Sequence, residues 1–290
     1  MSGNETDIDG PPRWYQEIFP GGERNGFYEK LTDHALLFVE RDPDILVVTF
    51  DNLSDAGGRH LAREPWAGKF VADKGWSHFS VFSKGPLWYR DAQLISRLEA
   101  LRDTGLFTRF KRVVFCGTSM GGFAALTFSQ LVPGAVVIAF SPQSSLDTAI
   151  VPWETRFRKG QVQDWTLPYS DAAKGLETAQ KAYVIYDPFV TQDALHAERL
   201  SADTVMRLHA PGCGHKSAFA LRRMDSLKDI MTAAITDHLT PTSFAQLIRG
   251  RKEIYLYKQT MQQHLRDRNQ EDRALRFGAA FKARRQKNKA

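Results

Sequence analysis

Apolar residues recur along the chain in short runs that are separated by longer polar or mixed stretches. Most of the runs are apolar at consecutive positions, the pattern of a strand that is covered on both faces of a parallel sheet. They are "ALLFVE" from residue 35, "ILVVTF" from 45, "FSVF" from 79, "RVVFC" from 112, "AVVIAF" from 135, "AYVIY" from 182 and "TVMRL" from 204. Arg207 interrupts the last run, which predicts a strand near the sheet edge.

Between these runs lie stretches whose apolar residues recur every three or four positions, as on one face of a helix. One carries Leu94, Ile95, Leu98 and Leu101, and a later one, from 219 to 231, predicts a long helix. Because strands alternate with helices, the sequence predicts an α/β fold with a doubly wound, mostly parallel sheet. We expect this domain to occupy residues 1–240.

The interval from 141 to 170 separates two strands by more chain than a simple crossover needs. Long connections in compact domains are often binding loops or lids. Trp153, Arg156, Arg158 and Trp165 would give such a lid an aromatic and cationic face. The alternative is an insertion that covers only its own core.

A lone serine stands in the stretch "VVFCGTSMGGFAAL", residues 113 to 126. Gly117-Thr118-Ser119-Met120-Gly121 fits the pattern G-x-S-x-G, with an apolar strand before it and a small-residue helix after it. This context favours a nucleophile on a strained turn over a serine that merely caps the helix. The N–H of Met120, at the helix start, is then a candidate donor to an oxyanion.

A serine nucleophile requires a base, and His215 is the best candidate among the eight histidines. It follows the last predicted strand within the glycine loop "HAPGCGHKSAF". His209 is the close competitor, but it adjoins the strand end, where a packing role suffices. For the acid that orients the base we prefer Asp187, which directly follows a strand, over Asp193, which precedes a helical segment as an N-cap would.

The elbow at 117–121 and the chain order Ser119, Asp187, His215 resemble the α/β-hydrolase superfamily over residues 33 to 240. The resemblance implies a second oxyanion donor in the loop "FDNLSDAGG", where the N–H groups of Asn52 or Leu53 match. The His-Gly-Gly motif of many lipases and esterases is absent. The stretches "GTSMGGFAAL", "AFSPQSSLD" and "YDPF" are also similar to bacterial hydrolases associated with surface-polysaccharide and accessory-secretion gene sets, some of which act on acyl groups of glycans.

The expected activity is serine hydrolysis of a carboxylic ester or related acyl substrate through an acyl-enzyme. An acyltransferase acting on a glycan or alcohol acceptor and a non-catalytic interaction module are the alternatives. No cofactor is expected, since no G-x-G-x-x-G loop occurs, and no metal, since "HAE" and "PGCGH" lack the second cysteine of a zinc-deaminase site.

Composition is consistent with one large domain, because 290 residues of which 42% are hydrophobic can bury their own core. The two cysteines do not make a disulfide framework, and the polar start "MSGNETDIDGPP" lacks the features of a secretory leader. No run approaches the length of a membrane span. We therefore expect a cytoplasmic protein.

The positive charge is concentrated at the C-terminal end. Residues 249–290 hold 13 Lys or Arg against 4 Asp or Glu, a local balance of +9 within a total of +6. From 244 to 281 the sequence predicts a helix with one apolar stripe, which forms the core of a basic extension over 241–290. The segment 281–290 is expected to be disordered, with Lys282, Arg284, Arg285, Lys287 and Lys289 free to aid solubility or to attract a weak anionic partner, and no specific nucleic acid is expected.

Overall fold

The computed structural model describes residues 11–19, 21–56 and 60–287. The described residues form eight strands: β1 (Gly26–Lys30), β2 (His34–Val39), β3 (Ile45–Phe50), β4 (Ser77–Ser83), β5 (Arg112–Thr118), β6 (Val136–Phe140), β7 (Lys181–Tyr186) and β8 (Val205–His209). They form the α-helices α1 (Arg13–Ile18), α2 (Gly68–Asp73), α3 (Ala92–Asp103), α4 (Met120–Phe128), α5 (Arg158–Gln161), α6 (Thr191–Arg199), α7 (Ser217–Arg223), α8 (Leu227–Ile235), α9 (Pro241–Leu247), α10 (Tyr255–Asp267) and α11 (Glu271–Lys287). Short 3-10 helices lie at Phe107–Arg109, Ser129–Leu131, Ala172–Lys174, Leu176–Thr178 and Ile248–Glu253.

All strands belong to one sheet, in the order β1-β2-β4-β3-β5-β6-β7-β8. Strands β3 to β8 pair in parallel, whereas β2 is antiparallel to both β1 and β4. The seven apolar runs form β2 to β8, and β8, which carries Arg207, lies at the edge as expected. The predicted α/β class is confirmed, and the chain has the α/β-hydrolase fold.

Helices cover both faces of the sheet, which is why alternate residues of one strand are buried in different cores. Val113 and Phe115 of β5 pack with α3 and α4 on one face. Val114 and Cys116 pack with α2 and α8 on the other face. The sheet is therefore doubly wound, and the carboxyl ends of its parallel strands meet at one edge, where ligands bind in such sheets.

The long helix expected from 219 to 231 is two helices. α7 ends at Arg223, the chain turns through Asp225 with a φ of 57°, and α8 begins at Leu227. An L-residue with positive φ cannot continue a right-handed helix, so the helix ends before Asp225. The apolar residues keep their helical spacing across this turn, and the spacing alone therefore does not show the break.

The C-terminal extension also differs from the expectation. The single helix expected from 244 to 281 is divided into α9, a 3-10 segment, α10 and α11, with a turn at Asn269, whose φ is 56°. The expected disorder from 281 onward is wrong for 281–287, because α11 continues to Lys287. Lys289 lies outside the described residues.

Charges and ring contacts explain the helical end of the chain. α11 has Glu271 and Asp272 in its first turn and three basic residues in its last, which suits the helix dipole. The Arg285 guanidinium lies 4.5 Å from the centre of the Tyr255 ring and donates a hydrogen bond to the Glu253 carbonyl. Within the described ranges, no helix has the length and apolarity that crossing a membrane requires.

Candidate active site

Ser119 occupies a strained turn between β5 and α4. Its φ is 52° and its ψ is −116°, a backbone conformation that L-residues rarely adopt. A Cβ at Gly117 would lie 2.2 Å from the Gly121 carbonyl oxygen, and a Cβ at Gly121 would lie 2.6 Å from the Phe50 carbonyl oxygen. Both glycines of the motif are thus required for the strand and helix to approach this closely, as the sequence context predicted.

The turn brings the Ser119 hydroxyl to His215. The distance from Ser119 Oγ to His215 Nε2 is 3.0 Å, a hydrogen bond in which the imidazole is able to accept the hydroxyl proton. His215 lies in the loop 210–216, which follows β8 at the carboxyl edge of the sheet. The competitor, His209, is bound instead through Nε2 to the Tyr186 hydroxyl, at 3.0 Å.

The carboxylate that contacts His215 is Asp193, not Asp187. Both oxygens of Asp193 lie near His215 Nδ1, at 3.0 and 2.9 Å, and its side chain is fully buried. The preference for Asp187 as the partner of His215 is therefore wrong in this structure. The reading of Asp193 as an N-cap is wrong too, since Val190 is the N-cap of α6.

Asp187 holds the backbone of the histidine loop. Its Oδ2 accepts the Gly214 N–H at 2.7 Å and its Oδ1 accepts the Phe189 N–H at 3.0 Å. Burial raises the pKa of Asp187, backbone hydrogen bonds from Phe189, Gly214 and Gly212 lower it, and the nearby charge of Asp193 raises it further, for a net increase. Asp187 therefore positions the loop that carries His215, while Asp193 contacts the imidazole itself.

A buried ionic network continues from Asp193 into the insertion. Arg156 donates from Nη1 to Asp193 Oδ1 at 2.8 Å and from Nη2 to Glu154 Oε2 at 2.6 Å. Glu154 is fully buried and also contacts His196 Nε2 at 3.1 Å, while the other ring nitrogen of His196 meets Ser144 Oγ at 2.9 Å. The sequence analysis placed Arg156 on a pocket cover, and nothing in the local pattern indicated a buried partner.

Gln143 is a second polar contact of the serine that the sequence analysis missed. Its Nε2 donates to Ser119 Oγ at 3.3 Å, and its Oε1 accepts the Trp88 indole N–H at 3.1 Å. Gln143 is fully buried and follows β6 at the same sheet edge as the elbow. Its position three residues after the end of a strand is the signal that could have identified it.

A cavity of about 450 Å³ opens over Ser119 and His215. Asn52 and Leu53, the expected oxyanion loop, line it, and further walls come from Trp66, Phe157, Phe219 and Leu227. Asn52 Oδ1 accepts the Ser54 N–H at 2.7 Å, which fixes the turn of this loop. Met120 is the first residue of α4, so its N–H has no carbonyl one helical turn earlier. Participation of these N–H groups in an oxyanion site stays a prediction.

The insertion contributes Phe157 to this cavity, whereas Trp153, Arg156, Arg158 and Trp165 are not among its lining residues. Trp165 packs against Phe123, with ring centres 5.5 Å apart, and donates its indole N–H to the Gly160 carbonyl. The tryptophan therefore belongs to the packing of the insertion on the domain.

The C-terminal extension supports the histidine loop from outside. Gly212 has a φ of 80°, and a Cβ there would lie 2.3 Å from the Tyr257 ring and 3.2 Å from the Met261 sulfur. Arg251 donates from Nε to the Pro211 carbonyl at 3.1 Å. The apolar stripe of α10 thus packs on the loop that carries His215.

Neither a protein-family model nor a curated protein matches this chain. The capsule O-acetyltransferase of Neisseria meningitidis serogroup A is similar to it with a TM-score of 0.47 and 13% identity, covering 71% of this chain and 93% of that one. Carboxyl esterase 2 of Tuber melanosporum has a TM-score of 0.47 and 14% identity, covering 79% and 88% of the two chains. Est1E of Butyrivibrio proteoclasticus has a TM-score of 0.45 and 10% identity, covering 73% and 99%. Likenesses this remote leave the reaction to be judged from the site itself.

Proposed function

We propose that the protein is a serine hydrolase that cleaves a carboxylic ester or related acyl substrate through an acyl-enzyme. The observation that carries the proposal is the hydrogen-bonded series Ser119, His215 and Asp193 beside a cavity. A nucleophile next to a base that is itself oriented by a carboxylate is the arrangement that acyl transfer to serine requires.

In the first half of the reaction, Ser119 Oγ attacks the substrate carbonyl carbon while its proton moves to His215 Nε2. Asp193 accepts the Nδ1–H of His215 and stabilises the imidazolium that forms. The negative charge on the carbonyl oxygen is met by the Met120 N–H and by the Asn52 or Leu53 N–H. His215 then protonates the leaving alcohol, and the acyl group remains on Ser119.

In the second half, water loses a proton to His215 and attacks the acyl carbon. The bond between the acyl carbon and Ser119 Oγ then breaks, His215 returns the proton to Oγ, and the acid is released. Gln143 Nε2 orients the Ser119 hydroxyl between turnovers, since it donates to the same Oγ. Two hydrogen-bond contacts fix the Oγ position before substrate arrives, and such preorganisation favours reaction.

A fluorophosphonate probe tests the proposal because it reacts with an activated serine. We expect the wild type to be labelled and Ser119→Ala to be unlabelled while its circular dichroism spectrum is unchanged. Failure of the folded wild type to label and to hydrolyse any aryl ester would overturn the proposal. Products analysed with added sugars or alcohols separate hydrolysis from transfer.

The two aspartates give a matched pair of variants for the same experiment. Asp193→Asn removes the negative charge beside the imidazole, so kcat is expected to fall by about 10³–10⁴-fold. Asp187→Asn leaves that charge in place and disturbs only the loop backbone, so a much smaller loss is expected. A larger loss of kcat in Asp187→Asn than in Asp193→Asn would instead identify Asp187 as the acid that orients His215.

A further inference from the structure

Among the described residues that line the candidate active-site cavity, two carry a positive charge and form no ion pair. Lys216 follows His215 in the loop, and Arg222 extends from α7. Among the described residues neither forms an ion pair or a side-chain hydrogen bond, and both are exposed. The Arg222 guanidinium lies over the Phe219 ring, 5.4 Å from its centre, which holds it at the cavity wall.

Three half-buried arginines of the domain are paired with carboxylates. Arg63 pairs with Asp51 at 2.6 Å and Arg199 pairs with Asp171 at 2.9 Å. Arg156 is bound by two carboxylates, as described above. Lys216 and Arg222 differ from these three arginines, because within the part of the chain that the structure describes no carboxylate contacts either of them.

Asp55 is the carboxylate among the described residues that line this cavity. Burial raises its pKa to about 6, and repulsion from Asp51 adds to the effect, while Arg63, an Asn52 backbone hydrogen bond and the field of Arg222 lower it. Its Oδ2 accepts a hydrogen bond from the Asn52 side-chain amide. Asp55 thus offsets at most one of the two positive charges.

We infer that the substrate carries an anionic group, a carboxylate or phosphate, that Lys216 and Arg222 bind at the cavity mouth. The inference rests on the proposed function, since it places this group in the same cavity as the acyl carbon. Trp66, Phe157 and Leu227 supply apolar walls for the portion between the anion and Ser119. A guanidinium offers a fixed fork of donors to a carboxylate or phosphate, and an ammonium adds a mobile charge.

Paired esters test this inference and show on which side of the scissile bond the anion lies. In the acyl arm, 4-nitrophenyl hydrogen adipate is compared with its neutral methyl ester. In the alcohol arm, 4-acetoxybenzoate is compared with methyl 4-acetoxybenzoate. We expect kcat/KM to favour the anionic ester by tenfold or more in one arm, and the preference to shrink as salt rises from 0.05 to 0.5 M, since exposed charges are screened.

Neighbouring arginines on α7 provide a matched control. Arg222→Gln is expected to reduce the anionic preference about tenfold, and Lys216→Gln together with Arg222→Gln to abolish it. Arg223→Gln removes an equal charge from the next residue, which also lies over the Phe219 ring at 5.0 Å but does not line the cavity. This control is expected to keep the full preference.

Binding to Ser119→Ala separates this inference from the proposed function. Calorimetry measures the affinity of this variant for 4-acetoxybenzoate, for 4-nitrophenyl hydrogen adipate and for their neutral methyl esters. The measurement needs no turnover. Tighter binding of an anionic ligand that disappears in the Lys216→Gln, Arg222→Gln background supports the inference even if no ester is hydrolysed. Equal binding and equal kcat/KM for charged and neutral members of both pairs, or an identical effect of Arg223→Gln, would overturn it.

Discussion

At the scale of single residues, the buried charges around Arg156 carry a high cost of desolvation. Burial alone would raise the pKa of Glu154, but hydrogen bonds from His196 and Arg156 outweigh it and lower that pKa to about 2. Asp193 is equally buried and forms an ion pair with the same guanidinium. Arg156 therefore compensates two carboxylates that water cannot reach.

Removing Arg156 alone is expected to destabilise the protein strongly. Arg156→Gln leaves two buried carboxylates without their cation, for a loss of about 3–5 kcal/mol in the free energy of unfolding. Adding Glu154→Gln removes one of the stranded charges, so the double variant should recover part of that loss. Urea unfolding of the two single variants and the double variant measures this coupling.

Activity distinguishes positioning of Asp193 from a purely structural effect of Arg156. If Arg156 orients Asp193, kcat in the double variant stays low although stability recovers. Arg90→Gln is the control, because Arg90 anchors the same insertion by donating to the carbonyls of Leu167, Pro168 and Tyr169 without touching Asp193. Equal recovery of activity and stability in the double variant would contradict the positioning role.

The candidate site was predictable from sequence where a local motif fixes the geometry. The elbow follows from the motif itself, because Gly117 has no room for a side chain beside Gly121, four residues later, although Gly121 lacks room because of Phe50 on a neighbouring strand. The choice between Asp187 and Asp193 was not predictable, because it depends on which of the two carboxylates accepts the hydrogen bond of the Gly214 N–H. That contact joins residues distant in the sequence, and no periodicity records it.

At the scale of elements, the packing of α10 on the histidine loop links the extension to the site. Gly212→Ala is expected to lower kcat by tenfold or more, since its Cβ would overlap the Tyr257 ring and push the loop away from Ser119. Its positive φ adds a strain of roughly 1–2 kcal/mol. Ester hydrolysis and thermal unfolding measure the two effects separately.

Gly75→Ala is the matched control for that prediction. Gly75 has a φ of 74°, but a Cβ there would meet nothing within 4 Å. It should therefore show a similar loss of stability with full activity. Adding Tyr257→Ala to the Gly212→Ala protein should restore part of kcat, because it removes the ring that the new Cβ overlaps. If kcat is not restored, the loss in Gly212→Ala comes from backbone strain alone.

Elements were predictable from sequence in proportion to their burial. Strands β2 to β7 followed from apolar runs because both of their faces are covered, and β8 followed from its run although only Leu208 is buried there. β1 was missed, since "GFYEK" is only half-buried and pairs on one side at the sheet edge. The breaks at Asp225 and Asn269 were missed because each depends on one positive φ at an Asp or an Asn, residue types that also occur inside helices.

At the scale of the whole molecule, the domain and its extension share a core. Phe244 of α9 and Ile248 are buried in the same apolar cluster as Ile230 and Met231 of α8. The sequence predicts a domain boundary at residue 240, shortly before the basic segment 249–290 begins. That boundary stays a prediction, and the shared cluster indicates that the two parts unfold together.

A buried histidine makes the stability of the whole protein depend on pH. His78 on β4 is buried, and its Nε2 lies 2.8 Å from Thr49 Oγ1. Burial, with a smaller contribution from Arg41, lowers the pKa of His78 from 6.5 to about 3. The imidazole is therefore neutral in the folded protein, whereas the unfolded chain binds a proton below its ordinary pKa.

The sign of the dependence follows from this proton. Because the unfolded state binds one more proton than the folded state between pH 6.5 and about 3, stability falls as pH decreases through this window. Where the two states differ by one full proton, His78 contributes a slope of about 1.4 kcal/mol per pH unit to the free energy of unfolding.

His78→Gln is expected to be less stable than wild type at pH 7 but to lose this slope, so the two curves of unfolding free energy converge toward pH 4. Urea unfolding followed by tryptophan fluorescence from pH 4.5 to 7.5 measures it, with exposed His238→Gln as the control that keeps the wild-type slope. Parallel curves for wild type and His78→Gln would mean that the folded protein admits a proton at His78, against the burial that the sheet imposes on it.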